Sequence, residues 1–128
     1  MHSSDKIRKT VSAYFSTLSA MDVEAWLGLF ASDGTGHDPG IPVLVGHDQL
    51  RSYFNGLLTH FSAFSAAHEE IFLCDSGAAV RWSVRATTKS GRAVEFAGIE
   101  VFEMNGGGQI QRARAYWDPA GLGAQLQG

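Results

Sequence analysis

One short segment, residues 37–42 with the sequence His-Asp-Pro-Gly-Ile-Pro, places a carboxylate beside a proline and has few polar neighbours. A carboxylate in such surroundings is suited to general-base chemistry, because burial and neighbouring groups tune its proton affinity. Asp38 is therefore a candidate general base. The alternative is an Asx-type turn residue that caps the loop before proline. His37 adds a second titratable group, and its simpler interpretation is an exposed loop histidine.

A second carboxylate interrupts an apolar row. Alternate positions of the strand-like segment 93–104 share one face, and Glu100 is the only charged member of that face. Its companions there are Val94, Phe96, Gly98, Phe102 and Met104. Burial disfavours a charged carboxylate, so the pattern predicts that the neutral form of Glu100 is favoured. The alternative is an ion pair with an arginine such as Arg114.

The elements that must position these carboxylates begin with three helical segments. The first carries Tyr14 on its apolar face, and its simplest interpretation is a core tyrosine whose hydroxyl finds a backbone partner. The second helix is expected over 23–30, ending at the turn 33–36. The third begins after Gly46 and keeps helical spacing as far as Phe61.

From Ser65 onward, strand-like segments alternate with short turns, which predicts an antiparallel meander. Three helices packed on a curved antiparallel sheet form an α+β cone with an apolar pocket, a usual place for a small-molecule site. Small residues next to Trp117 leave room for a flat ligand. The segment 121–128 is expected to be a loose tail. The predicted ligand-contacting residues are Phe30, Tyr53, Phe54, Trp82, Val84, Phe102, Ala115 and Trp117.

Composition limits the classes of partner. A chain of 128 residues, 45% of them hydrophobic, is expected to form one globular domain over 1–128. The net charge of −3 without a basic run argues against nucleic acid as a partner. The single cysteine, Cys74, allows no internal disulfide and is expected to be a small core residue.

The sequence also gives expectations about location and metals. Residues 1–10 are polar and lack the apolar core of a signal peptide, and no apolar run reaches the roughly 20 residues of a membrane span. We therefore expect a cytoplasmic protein without a membrane partner. His47, His60 and His68 lack a shared spacing with carboxylates that would indicate a metal site, so no metal or cofactor is expected.

Residues 7–117 together resemble the ketosteroid isomerases and the wider nuclear-transport-factor-like superfamily, which includes polyketide cyclases and scytalone dehydratase. The resemblance is carried by Tyr14 within 11–22 (VSAYFSTLSAMD), by 26–30 (WLGLF), by His37-Asp38-Pro39 ahead of the Tyr53-Phe54 pair, and by 100–106 (EVFEMNG).

Specific roles follow from this resemblance. In ketosteroid isomerases an aspartate before proline shuttles the proton, which implies that role for Asp38. A tyrosine of the first helix donates to the substrate oxygen, as Tyr14 would here. A protonated carboxylic acid completes the oxyanion hole, and Glu100 stands at that position, where the isomerases carry aspartate. His37 is a further departure, because it stands where the family has a glutamate.

The resemblance implies a cofactor-free acid–base isomerase, similar to a steroid Δ-isomerase, that acts on an apolar small molecule bearing a carbonyl. Two alternatives share the fold. One is a polyketide cyclase or dehydratase whose acid–base pair is His37 with Asp38, or Asp118. The other is a binder without turnover. A homodimer through the outer, arginine-bearing sheet face is also expected.

Overall fold

The computed structural model describes residues 4–127, which form four helices and six strands. The helices are α1 (Ser4–Ser19), α2 (Val23–Leu27), α3 (Gly46–Leu58) and α4 (Pro119–Gln127). The strands are β1 (Phe30–His37), β2 (Leu44–Val45), β3 (Phe61–Cys74), β4 (Gly77–Thr88), β5 (Ala93–Met104) and β6 (Ile110–Trp117). None of these helices is long and apolar enough to cross a bilayer.

All six strands form one curved sheet in the order β2-β1-β6-β5-β4-β3. The four long strands β3 to β6 are paired antiparallel in sequence order, which confirms the predicted meander. Shifts in register interrupt the β3–β4 and β5–β6 pairs, and such irregularities bend a sheet. Helices α1 and α3 pack on the concave face, against β3 and β1 respectively. The α+β cone is thus confirmed.

The stretch before the Asp38 loop differs from its prediction. The second helix ends at Leu27, and Phe30 begins a strand that runs through the expected turn to His37. The reason is pairing that local sequence does not reveal. Strand β1 lies parallel to β6, with Phe30 opposite Ile110 and His37 opposite Arg114. This pairing fixes the strand end from which the Asp38 loop departs.

Two other boundaries also reflect tertiary pairing. Phe61 was expected to close the third helix, but it begins β3 opposite Thr88. Cys74 is exposed rather than buried, because it ends an edge strand of the sheet.

The loose tail expected over 121–128 is instead helix α4 as far as Gln127, while Gly128 lies outside the described residues. Asp118 Oδ1 accepts a hydrogen bond of 3.0 Å from the Ala120 N–H and so caps this helix. Leu122 is buried against the core. The Gln125 carboxamide pairs with both backbone groups of Glu95, at 2.6 and 2.8 Å. These contacts attach α4 to β5 at the open end of the cone.

The inner sheet face confirms the predicted alternation. Val80, Trp82, Val84 and Ala86 are buried along β4, while Arg81 and Arg85 are exposed on the other side. The outer face carries ion pairs, among them Arg85–Glu95 at 3.4 Å and Arg112–Glu103 at 3.2 Å. Such exposed pairs contribute little to stability. The apolar inner face is therefore the larger contribution to the fold.

Gly98 is predicted to be required for packing of the inner face. A Cβ there would lie 2.3 Å from the Tyr116 carbonyl oxygen and 2.8 Å from both Trp82 Cζ2 and Trp117 Cβ. Gly98→Ala should lower the free energy of unfolding by roughly 1–3 kcal/mol, as overpacking does. The measurement is urea denaturation.

Gly56→Ala is the matched control, because a Cβ at this exposed position of α3 meets nothing within 4 Å. It should raise stability by about 0.5–1 kcal/mol, since alanine favours a helix interior more than glycine does. Equal effects of the two alanine substitutions would contradict the packing argument.

Candidate active site

The concave face of the sheet and the helices enclose an apolar cavity of about 100 Å³. The three side chains to which the sequence analysis assigned chemical roles, Tyr14, Asp38 and Glu100, line it together. The remaining walls are almost entirely apolar, and they come from all four helices and from the strands β3 to β6. The side chains that line it besides these three are Phe15, Leu18, Trp26, Tyr53, Phe54, Leu57, Ala66, Trp82, Val84, Phe96, Ala115, Trp117 and Leu122.

Glu100 is held inside the sheet. It lies on β5 opposite Val80 of β4 and Ala115 of β6, and only 6% of its surface is exposed. Its carboxyl group makes no hydrogen bond to any residue of the segment 4–127. Burial raises the pKa of Glu100 well above its ordinary value, and the nearby Asp38 charge raises it further. The neutral acid, a hydrogen-bond donor, is thus favoured, as the apolar row predicted.

The alternative partner for Glu100 is excluded by the alternation of β6. Arg114 is exposed on the outer face, opposite Val101, and its guanidinium donates a long hydrogen bond of 3.5 Å to the Tyr116 hydroxyl. It therefore cannot neutralise a carboxyl group on the inner face.

Asp38 lies half-buried in the loop directly after β1. The Tyr53 hydroxyl of α3 donates a short hydrogen bond to Asp38 Oδ2. Burial raises the pKa of Tyr53, as do the charge and hydrogen bond of Asp38, so Tyr53 stays protonated and remains a donor. The sequence analysis placed Tyr53 at the pocket but did not pair it with Asp38, because the two residues meet only through the tertiary fold.

Tyr14 projects from α1 into the aromatic core and is 7% exposed. Its ring packs edge-on against Phe102 at 4.8 Å and contacts Trp26 at 6.0 Å. Burial raises the pKa of Tyr14 well above its ordinary value, and the charges of Glu100 and Asp38 raise it further; the Trp26 indole N–H acts in the opposite direction. A neutral tyrosine at the cavity wall is a hydrogen-bond donor. No backbone partner for its hydroxyl is found among residues 4–127.

A smaller cavity of about 40 Å³ adjoins the first and shares Tyr14, Asp38 and Glu100 with it. Phe30 and His37, both singled out from the sequence, line this smaller cavity. His37 is half-buried at the end of β1, and its Nε2 makes a hydrogen bond of 3.1 Å with the Ile41 carbonyl oxygen. It is therefore anchored within its own loop rather than freely exposed.

Most of the other residues predicted to contact a ligand line the main cavity, and one of them lines neither cavity. Tyr53 and Phe54 both line the main cavity, as predicted, and Trp82, Val84, Ala115 and Trp117 join them. Phe102 lines neither cavity, because its ring is buried behind Tyr14.

Seven lining residues were not predicted from the sequence: Phe15, Leu18, Trp26, Leu57, Ala66, Phe96 and Leu122. Phe96 shares the strand face of Glu100, a signal that was available. Leu122 was not predicted because residues 121–128 were expected to be a tail.

Asp118, the other proposed acid–base group, caps α4 and lines neither cavity. Among residues 4–127, no group of three or more His, Cys, Asp or Glu side chains is arranged to hold a metal ion.

Comparison with protein families gives a match to the SnoaL-like domain over residues 11–113. A search of curated protein sequences finds no match. Solved structures with the same fold are numerous.

Three of these structures are informative. An NTF2-like protein of unknown function from Burkholderia pseudomallei is 18% identical, with a TM-score of 0.85 over 96% of this chain and 98% of its own. An epoxide hydrolase/cyclase-like enzyme of pyran ring formation in the polyether salinomycin is 24% identical, with a TM-score of 0.83 over 94% and 97%. A Mycobacterium tuberculosis protein in complex with estradiol-17β-hemisuccinate is 19% identical, with a TM-score of 0.79 over 91% and 96%.

The burial of Glu100 predicts a specific pH dependence of stability. Because its pKa is raised in the folded state from an ordinary value of 4.5, the folded protein binds the proton more tightly. The stability contributed by the neutral acid is fully present below that value and is lost as the pH rises towards the folded pKa. Between these two pKa values, the free energy of unfolding of the wild type should fall by about 1.4 kcal/mol per pH unit relative to that of Glu100→Gln.

Urea denaturation of both proteins from acid to mildly alkaline pH measures this difference. Glu103→Gln is the matched control, because Glu103 lies half-exposed on the outer face of the same strand beside Arg112. Because this variant keeps Glu100, it should retain the pH-dependent loss of stability that Glu100→Gln removes. A constant difference between wild type and Glu100→Gln would contradict a buried, neutral Glu100.

Proposed function

The chain belongs to the SnoaL-like domain family of the NTF2-like superfamily, whose members include polyketide cyclases and epoxide hydrolases, and from this premise we propose that it is a cofactor-free acid–base isomerase. Its substrate would be an apolar small molecule bearing a carbonyl, and its reaction would be similar to that of a steroid Δ-isomerase. The observation that carries the proposal is the meeting of Asp38, Tyr14 and Glu100 in one apolar cavity.

Asp38 is the proposed proton shuttle. As the carboxylate, it would remove a proton from the carbon between the carbonyl and an isolated double bond, and the electron pair would move onto the carbonyl oxygen. The protonated Asp38 would then return the proton two carbons further along the dienolate. The double bond becomes conjugated and no cofactor is consumed. The Tyr53 hydrogen bond supports this role, because it fixes one carboxylate oxygen and leaves the other for the substrate.

Tyr14 and Glu100 are the proposed donors to the developing oxyanion. Both are buried, and burial together with the Asp38 charge raises the pKa of each, which keeps each able to donate. A preorganised donor in a dry site stabilises negative charge far more than it would in water. The side chain of Glu100 is one methylene longer than the aspartate of the isomerases, so its carboxyl group would meet the substrate at a different position. This departure alters where the oxyanion would lie rather than how it is stabilised.

Cavity volume bears on the size of the substrate. About 100 Å³ is well below the roughly 300–1,000 Å³ of pockets that enclose drug-sized ligands. A one-ring enone precursor therefore suits this space better than a four-ring steroid does. The proposed activity is consequently tested on both sizes of ketone.

A polyketide cyclase-type reaction is the second candidate, supported by the family match. The same groups would serve it, with Asp38 forming an enolate that attacks a second carbonyl of the same molecule. His37 is close enough to line the small cavity with Asp38, and it would assist proton return. Asp118 no longer supports this alternative, because it caps α4.

We also propose that the protein is a homodimer through the outer sheet face. Ile99 and Tyr116, opposite each other on β5 and β6, are exposed there, and this supports the proposal. Analytical ultracentrifugation tests the assembly independently of activity.

Loss of the Asp38 carboxylate should abolish isomerase turnover. Asp38→Asn keeps the shape and a hydrogen-bond partner for Tyr53 but removes the base, so turnover should fall by roughly 10²–10⁴ while ligand affinity changes little. The measurement is the absorbance of the conjugated product formed from 3-cyclohexenone and from a 5-ene-3-ketosteroid.

Asp33→Asn is the control for Asp38→Asn, because Asp33 is an exposed carboxylate that accepts a hydrogen bond from Gln111 at 3.1 Å, outside both cavities. It should leave turnover unchanged. Failure of the wild-type protein to turn over either ketone would exclude the isomerase. Binding of both ketones without proton exchange at the carbon next to the carbonyl would favour the binder.

His37→Ala separates the two candidate reactions. In the isomerase, Asp38 carries the proton both ways, so turnover of the ketones should stay within about tenfold of wild type. In the cyclase, loss of His37 should abolish ring closure of a polyketide-like diketone. The measurement is product formation from each substrate class by the same variant. Loss of ketone turnover in His37→Ala would contradict the single-base isomerase mechanism.

A further inference from the structure

Trp26 holds a buried polar group that the proposed mechanism does not yet use. The residue is 5% exposed and lines both cavities. Its indole Nε1–H is fully buried and makes no hydrogen bond of standard geometry. Buried donors without a partner are rare, because an unpaired buried N–H loses the hydrogen bond that water would give it. A small movement that supplies an acceptor is therefore favoured.

The Trp26 ring is held firmly in place. It packs edge-on against Phe54 at 4.6 Å and against Phe30 at 4.9 Å. The short helix α2 that carries it is capped by Asp22, whose carboxylate accepts a hydrogen bond from the Ala25 N–H. Because the ring is held in place, the direction of the Trp26 N–H is fixed. Its role therefore depends on which acceptor lies next to it.

That neighbour is Tyr14, whose ring centroid lies 6.0 Å from that of Trp26. Tyr14 and Trp26 line both cavities together, and the Trp26 N–H acts to lower the pKa of Tyr14, as a donor directed towards the phenol oxygen does. The second unpaired indole, that of Trp82, lies on β4 among Phe96 and Trp117 and contacts neither Tyr14 nor Asp38.

We propose that Trp26 is a positioning residue, whose indole N–H donates to the Tyr14 hydroxyl oxygen and so directs the Tyr14 proton towards the ligand. An indole N–H can only donate a hydrogen bond, so Tyr14 is the acceptor in this pair. The Tyr14 O–H is then available for a different acceptor, and the shared cavity is where one would lie. Accepting a hydrogen bond also makes the Tyr14 O–H a stronger donor, because hydrogen bonds in series polarise one another.

The cavity hydroxyls would then have fixed and different directions. Tyr53 donates to Asp38, while Trp26 donates to Tyr14 and Tyr14 donates to the ligand oxygen. This inference extends the proposed function, because it explains how Tyr14 is committed to donation. The Trp26–Tyr14 contact itself does not require any turnover, so it is tested without a substrate.

The direct test follows the indole N–H resonances of the protein labelled with [15N]tryptophan, which contains three tryptophans. Tyr14→Phe keeps the ring and removes the acceptor oxygen. The Trp26 N–H resonance should move upfield and its hydrogen exchange should accelerate. Tyr53→Phe removes the other cavity hydroxyl and should leave the Trp26 resonance in place. An unmoved Trp26 resonance in Tyr14→Phe would overturn the proposal, whether or not the protein is an isomerase.

A double-mutant cycle with 2-naphthol as the probe then tests the consequence for a ligand. Trp26→Phe keeps an aromatic ring without the N–H and should weaken naphthol binding roughly threefold to tenfold, the effect of one hydrogen bond. In the Tyr14→Phe background the same change should have no effect, because Trp26 acts only through Tyr14. Equal weakening in both backgrounds would show that Trp26 acts on packing or on the ligand directly, and would overturn the positioning role.

Discussion

The burial of the Glu100 carboxyl group beside Asp38 is the constraint on which the cavity depends. Two carboxyl groups in an apolar site cannot both be ionised at low cost, because the Coulomb repulsion between them is poorly screened. Burial therefore favours the neutral acid at Glu100, while Asp38 lies half-buried at the cavity wall. Ala115, the small residue opposite Glu100 on β6, lines the cavity beside it.

The two tyrosines that line the cavity also differ in their hydrogen-bond partners. Tyr53 comes from α3 and serves Asp38, while Tyr14 comes from α1 and has no protein acceptor among residues 4–127. The two tyrosines have the same chemistry, but the elements that carry them give them different partners. A site that combines the Asp38 carboxyl group with the donors Tyr14 and Glu100 suits reactions that create and consume an enolate.

The same arrangement is chemically compatible with more than one reaction, and the family match gives a fold rather than a substrate. Isomerisation and ring closure both begin with proton removal next to a carbonyl. They differ in the shape of the substrate and in where the proton returns. Helix α4 contributes to that shape, because Leu122 forms part of the cavity wall and Gln125 attaches the helix to β5.

Residue patterns along the chain were enough to predict the sheet meander, the inward face of β5 and the unusual place of Glu100 on it, because strand alternation is local and has a period of two. They also indicated Tyr14 and Asp38, through motifs that resemble those of a known family. That Phe30 and His37 belong to a strand depends on the folded chain, since a parallel pairing with the distant β6 creates this strand. The tertiary structure alone joined Tyr53 to Asp38 and brought Trp26 against Tyr14, because side chains from separate helices meet only when the cone is closed.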